Sequence, residues 1–197
     1  MRLSIRTNFP EVEAALRNLR QDVRDRVTAR ALNRSIEQAR TQMVREITSE
    51  YAVKAAQVRD RLRIKRATFK AGALGLEAAL ESPQGRGRAQ NVIRFSARQT
   101  AQGVTVKIKK KEPRKLIRGV FIANKGRTVF ERVPGTKMRS RRWGKQHGQQ
   151  VRPVQTIDVP QMFNTNRIAM AVTAALQGRF PAIFSRELAW AMTQFNR

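Results

Sequence analysis

The sequence predicts an α+β fold: a long N-terminal helix, a central antiparallel β-sheet with basic loops, and C-terminal helices. Three observations carry that expectation. Apolar residues recur every three to five positions from Val12 to Tyr51, and residues 11 to 71 contain no Gly or Pro, which is a helical period without a breaker. After Thr68, Gly72, Gly75, Pro83, Gly85, Gly87 and Gly103 punctuate short β-prone runs, the pattern of a meander. Helix signals return at Pro160.

Taken in order, Arg2 to Thr7 alternates like a short strand, and Asn8-Phe9-Pro10-Glu11 supplies a capping Asn with a Pro just inside the first turn. Val12, Leu16, Leu19, Val23, Val27, Ala31, Ile36, Ala39, Met43, Ile47 and Tyr51 then share one face. A helix over Glu11 to Glu50 is about 60 Å long at ~1.5 Å per residue, too long for a compact domain unless it bends or projects. Projection points to a partner, with Leu16, Leu19, Val23 and Val27 as candidate subunit contacts. Glu13 with Arg17, and Asp22 with Arg26, sit at the four-residue spacing that supports an exposed helical face. A second helix is expected over Lys54 to Leu62.

Strands are expected at Leu74 to Leu80, Val92 to Ala97, Val104 to Lys109, Leu116 to Ala123 and Thr128 to Val133. Asn124-Lys125-Gly126 reads as a hairpin turn needing positive φ at the Gly. Pro134 to Pro153 reads as a polar loop, and Val154 to Val159 as a returning strand. One helix then runs toward Leu176, Gly178 ends it, and Pro181 opens another reaching Phe195. This gives an N-terminal helical region (1–68), a sheet region with basic loops (69–159) and C-terminal helices (160–197), in one domain overall.

Charge is the dominant functional signal. Forty-one Lys and Arg stand against fourteen Asp and Glu, a net of +27. Residues 1 to 60 carry twelve basic and eight acidic groups, whereas residues 61 to 197 carry twenty-nine against six. Such a surplus repels itself and calls for a polyanion or an acidic partner. Hydrophobic residues at 41% exclude a merely disordered basic tail. The absence of Cys removes disulfides, Cys-type zinc sites and thiol chemistry. No apolar run approaches the ~20 residues a spanning helix needs, and Met1 to Arg6 lacks the apolar core of a signal peptide. The reading is therefore a protein inside a cell, or in a particle assembled there, with no membrane partner.

Enzyme chemistry finds little support. His147 is the only histidine and sits in a Gly-flanked polar loop; Glu77, Glu81, Glu112, Glu131, Asp158 and Glu187 are scattered through the basic two-thirds. No P-loop, nucleophile elbow or metal-ligand spacing occurs, and Gly85-Arg86-Gly87-Arg88 is only a basic turn. No catalytic residue, metal site or cofactor is expected. Two basic clusters stand out instead. Lys107, Lys109, Lys110, Lys111, Arg114, Lys115 and Arg118 surround the single acid Glu112, while Lys137, Arg139, Arg141, Arg142 and Lys145 have no acid among them. They suit contact with a phosphate backbone, which needs charge and no base-specific geometry. Trp143 is expected to anchor its loop to a neighbouring subunit, because base-stacking surfaces present several aromatics. With no recognition-helix module, DNA is expected to be met without sequence preference.

Particular residues also resemble a known family. Ala31-Leu32-Asn33-Arg34-Ser35 with Ala39-Arg40, Arg61 to Thr68, the hairpin Gly119 to Ile122 with Gly126 to Arg132, and Pro153 to Pro160 are similar to the minor tail protein Z family of long-tailed bacteriophages. The similarity spans roughly residues 30 to 165, and its motifs are structural. The resemblance implies a tail-completion protein in the virion neck, assembled in the host cytoplasm, at the head-proximal end of the tail. Its implied form is a homohexameric ring around the DNA channel. It would meet the tail tube, the terminator, the head connector and double-stranded DNA, the basic clusters facing DNA or an acidic ring. The alternative from charge alone is a free nucleic-acid-binding protein of nucleoid or ribosome type; a basic nuclease is a weaker third.

Overall fold

The computed structural model describes residues 2–5, 21–68, 77–83, 89–139 and 146–195. The chain divides into two compact units, one made of Met1–Ile47, Ala55–Gln84 and Val159–Arg197, the other of Thr48–Lys54 and Gly85–Asp158. The N-terminal and C-terminal helical regions, remote in sequence, thus belong to one unit.

In the first unit, strand β1 (Arg2–Ile5) precedes helix α1 (Gln21–Glu50), whose residues from Thr48 on belong to the second unit, then helix α2 (Ala55–Arg59) and strands β2 (Arg63–Lys65) and β3 (Ala78–Glu81). β3 is the middle strand of an antiparallel sheet ordered β1, β3, β2, and its Ala78, Ala79 and Leu80 are buried. Glu81 lies opposite both Arg2 and Arg63 in the two registers. Its carboxylate meets Arg2 at 3.6 Å and Lys65 at 3.1 Å, and Arg2 also reaches Glu77 at 2.9 Å. The anticipated start at Asn8 to Glu11, the positions Val12, Leu16 and Leu19, the pair Glu13 and Arg17, Asp22's side chain and residues 74 to 76 lie outside the described residues.

Helix α1 buries the stripe that its period foretold: Val23, Val27, Ala31, Ile36, Ala39, Met43 and Ile47, with Leu32 beside them. Over its described length the apolar face of the helix is covered by the chain itself. Ser35, also buried, donates to the Ala31 carbonyl at 2.8 Å, so its hydroxyl is satisfied inside the helix.

Helices α3 (Val159–Phe163) and α4 (Asn166–Phe195) complete this unit. The expected break at Gly178 and Pro181 does not occur, and α4 runs through both. A proline inside a helix costs about 3 kcal/mol. Against it stands the buried series Ile168, Val172, Leu176, Phe180, Ile183, Phe184 and Ala191, each large member worth about 1.5–3 kcal/mol. Phe180 and Phe184 stack across the proline with centroids 6.2 Å apart, tying one half of the helix to the other. By length and composition α4 passes as a membrane-crossing helix, which the expectation of no long apolar run had missed. Within the unit one side of it packs into the core and carries a buried, paired glutamate.

The second unit is almost all β. It holds β4 (Gln90–Asn91), β5 (Arg98–Thr100), β6 (Gly103–Val106), β7 (Lys115–Arg118), β8 (Val120–Ala123), β9 (Thr128–Arg132), β10 (Met138–Arg139), β11 (Gln146–His147), β12 (Val151–Pro153) and β13 (Gln155–Thr156). Its three-stranded antiparallel sheets run β5–β6–β7 and β12–β9–β8, with the pairs β13–β4 and β10–β11 beside them. Val92, Val104, Val106, Val120 and Val129 form the core, and Ile93, Ile108, Ile117, Ile122 and Val154 pack on it.

Three strand expectations change, the returning strand expected over Val154 to Val159 being cut to β13 (Gln155–Thr156) because Val159 already opens α3. Leu116 to Ala123 is split by Gly119 at φ +73 into β7, which pairs with β6, and β8, which pairs with β9, so the chain changes sheets there. Val92 to Ala97 opens as a 3-10 turn over Val92–Arg94. The cause is Asn91, whose Oδ1 accepts from Ile93 N at 3.1 Å and Val129 N at 2.9 Å while its Nδ2 donates to the Val129 carbonyl at 2.9 Å. The side chain thereby takes over pairing that a strand would have made. The hairpin turn falls where expected, with positive φ at Gly126 and also at Asn124 and Lys125.

Candidate nucleic-acid interface

Both basic clusters belong to the β-rich unit. That unit carries 21 Lys and Arg against 4 Asp and Glu, a net of +17, while the helical unit carries 20 against 10, a net of +10.

The first cluster occupies the connection between β6 and β7 and then β7 itself. Its backbone is fastened at several points. Lys107 N donates to the Phe95 carbonyl at 3.0 Å, Lys110 N to Glu50 at 2.8 Å, and Ala52 N to Ile108 at 2.8 Å; Tyr51 and Lys109 form an isolated bridge. The lysines therefore project from a pinned segment. Within it, the Glu112 carboxylate lies 3.2 Å from Lys109 Nζ and 3.6 Å from Lys115 Nζ. The hydrogen bond and charge of Glu112 hold the Lys109 ammonium above its ordinary range. In return, the hydrogen bond and charge of Lys109, with Lys115 adding to them, hold Glu112 below the usual carboxylate range. Two lysines against one carboxylate leave the trio with a formal charge of one positive.

Arg114 donates to the Ser96 carbonyl at 2.7 Å. Lys107 is half-buried, whereas Lys110, Lys111 and Arg118 are exposed, and none of these four has an acidic partner among the described residues. Strand β5, absent from the sequence reading, adds exposed Arg98 to the same sheet. Nothing in a three-residue polar strand announces it.

The second cluster lies on what the sequence reading took for a loop. Val133 N donates to the Gln150 carbonyl at 2.8 Å, Thr136 bonds both Val133 and Gln150, and β10 pairs with β11. Its described parts, 134–139 and 146–153, thus form a ribbon continuing the β9–β12 ladder. Lys137 is exposed on it. Arg139 takes its backbone place opposite Gln146. The Arg139 and His147 side chains, together with Arg141, Arg142, Trp143 and Lys145, lie outside the described residues, as does the basic turn Gly85 to Arg88.

Of the candidate subunit contacts, Val23 and Val27 are buried inside the helical unit, at 6% and 1% exposure. Their side chains are already covered by the chain itself. Leu16, Leu19 and Trp143 lie outside the described residues.

The scattered acids serve as counter-charges. Glu77 and Glu81 meet Arg2, Glu112 meets Lys109, Glu131 meets Arg152, and Glu187 meets Arg30 and Arg34. Among the described residues no three His, Cys, Asp or Glu converge as metal ligands would.

The sequence motifs meet in pairs. Asn33 binds the backbone of Ala67 through both amide atoms, Nδ2 to O at 2.9 Å and Oδ1 from N at 2.8 Å, and Arg66 pairs with Glu37 at 2.6 Å. In the other unit, Pro153 lies opposite Phe130, and Val154 N donates to Val129 at 2.9 Å. The family model for prophage minor tail protein Z (GPZ) matches residues 11–197. The chain belongs to that family. Curated proteins and solved structures show no match to it. As a prophage minor tail protein it has a structural role in a phage tail and is a component of the virion. The family match extends beyond residues 30 to 165 at both ends and takes in the whole of α4.

Proposed function

We propose that this minor tail protein is a tail-completion subunit at the head-proximal end of the tail, joining tail tube, terminator and head connector around the DNA channel. It acts there without catalysis, as one copy of a ring. Support comes chiefly from the +17 of the β-rich unit, concentrated on a pinned segment whose Lys110, Lys111 and Arg118 lack acidic partners among the described residues. Six copies at +27 would bring about 160 positive charges to one ring, a match for a DNA end held without base-specific contacts.

The test combines particles and solution binding. Particles carrying Lys110→Glu, Lys111→Glu and Arg118→Glu together should show normal-length tails that fail to join heads or to retain DNA. The slope of log affinity for duplex DNA against log salt should fall by about 0.9 for each phosphate contact removed. Fully infectious particles with an unchanged salt slope would overturn the assignment. Unaffected particles lacking the protein altogether would favour a free nucleic-acid-binding role.

A further inference from the structure

The outward side of α4 carries a surface unlike the rest of this chain. Met170, Ala174, Gly178, Pro181, Ser185, Ala189 and Met192 follow one another at spacings of three and four and so share one line along the helix. All are exposed except the half-buried Pro181, Met170 at 71% and Met192 at 41%, and a Cβ built on Gly178 would meet nothing within 4 Å. Only a third of the helix's most apolar stretch is buried. Between Met170 and Met192 this line bears no charge, in a chain of net +27. A large apolar surface left open marks a docking site.

We infer that this face is where a second copy of the same chain docks, through antiparallel α4–α4 pairing about Pro181. Charge supports the choice of occupant. An acidic partner would be selected by cations, and the line has none; two copies at +27 repel, and they approach most readily where no charge faces outward. The pattern is also self-complementary. Gly178, Ala174 and Met170 stand three, seven and eleven residues before Pro181, and Ser185, Ala189 and Met192 stand four, eight and eleven after it. Antiparallel copies therefore oppose Met170 to Met192 at both ends and small residues at the centre, where the helices come closest. A helix of 30 residues is ~45 Å long and ~10 Å wide with side chains. Two such faces cover on the order of 1,000 Å², the size at which specific interfaces begin. A two-fold contact closes on itself and leaves ring formation to another surface. It is independent of the DNA-facing role proposed for the β-rich unit.

The lack of native cysteine makes the test direct. In the full-length chain, Ala182→Cys places its thiols ~3 Å apart along the pairing axis, and Ala174→Cys places them ~21 Å apart. Under mild oxidation A182C should run as a disulfide-linked dimer and A174C as a monomer. By sedimentation at tens of micromolar in moderate salt, the unmodified protein should weigh at least two chains, and Ala182→Glu should halve that mass with its circular dichroism unchanged. A monomeric unmodified protein, which is what a foreign protein or a lipid surface as natural occupant would leave, overturns the inference. So does cross-linking of A174C as readily as A182C, or an assembly in which neither cross-links.

Discussion

Glu187 offers the sharpest test of what holds the helical unit together. Its side chain is 2% exposed, and its two oxygens receive Arg30 Nε at 2.9 Å and Arg34 NH1 at 2.7 Å, while Arg30 also lies 3.8 Å over the Trp190 ring. The arginines are about half exposed, at 45% and 53%, so the two sides of the cluster differ. Removing an arginine's partner returns that guanidinium to water, whereas removing the arginines strands a carboxylate in the core. Arg34→Met leaves one charge-assisted bond and should cost about 1.5 kcal/mol, the low end for such bonds. Arg30→Met with Arg34→Met leaves the carboxylate uncompensated and should cost about 3–5 kcal/mol. In a chain of this size that is a fall of roughly 8–15 °C in Tm. Adding Glu187→Leu to the double variant should restore most of the loss, since a buried ionic group replaced by an apolar side chain of similar volume is often neutral or stabilising. Thermal unfolding followed by circular dichroism measures all three. A double variant losing less than about 1 kcal/mol, or a triple variant no more stable than the double, would refute this account.

Three further outcomes follow from the geometry. Gly103→Ala would set a Cβ 2.1 Å from the Ile117 carbonyl oxygen at φ +150, so the β5–β6–β7 sheet should lose about 3 kcal/mol, read as loss of amide protection on β6 and β7. Asn33→Ala removes both bonds to Ala67 and should cost about 1–3 kcal/mol, with proteolysis after β2 as the local readout. The Lys109 and Glu112 pairing should be insensitive to pH across the neutral range. Because Glu112 is held low, its contribution exists above the ordinary carboxylate pKa and disappears as pH falls through the lowered value. Because Lys109 is held high, its contribution exists below the ordinary lysine pKa and disappears as pH rises through the raised value. NMR titration should show the Glu112 carboxyl moving up toward its ordinary range in Lys109→Met, with Lys115 retaining part of the effect; no movement would sever the assigned cause.

Local rules were legible in the residues themselves. The period of Val23 to Ile47 named the buried face of α1 correctly, because burial on a helix repeats at the helix's own spacing. The turn at Asn124 to Gly126 was readable because positive φ favours few residue types. The positions of the basic clusters needed only a count. The readings that failed depended on contacts that the local residue pattern does not show. Pro181 looks like a helix start until Phe180 and Phe184 are known to stack across it. Val92 looks like strand until Asn91 is seen bound to Val129, 38 residues away. Residues 134–139 and 146–153 look like loop because a polar ribbon has no alternation to betray its ladder.

The sequence by itself determined the charge, the helical and β-rich stretches and the family, since each is written in composition, period or local motif. The tertiary structure alone decided that the two terminal regions form one unit, that Val23 and Val27 are covered within the chain, that Glu112 ties down two of the lysines beside it, and that α4 keeps an uncharged face outward. Those outcomes depend on which side chains meet across long separations, and a residue's spacing along the chain carries no information about what lies opposite it in space.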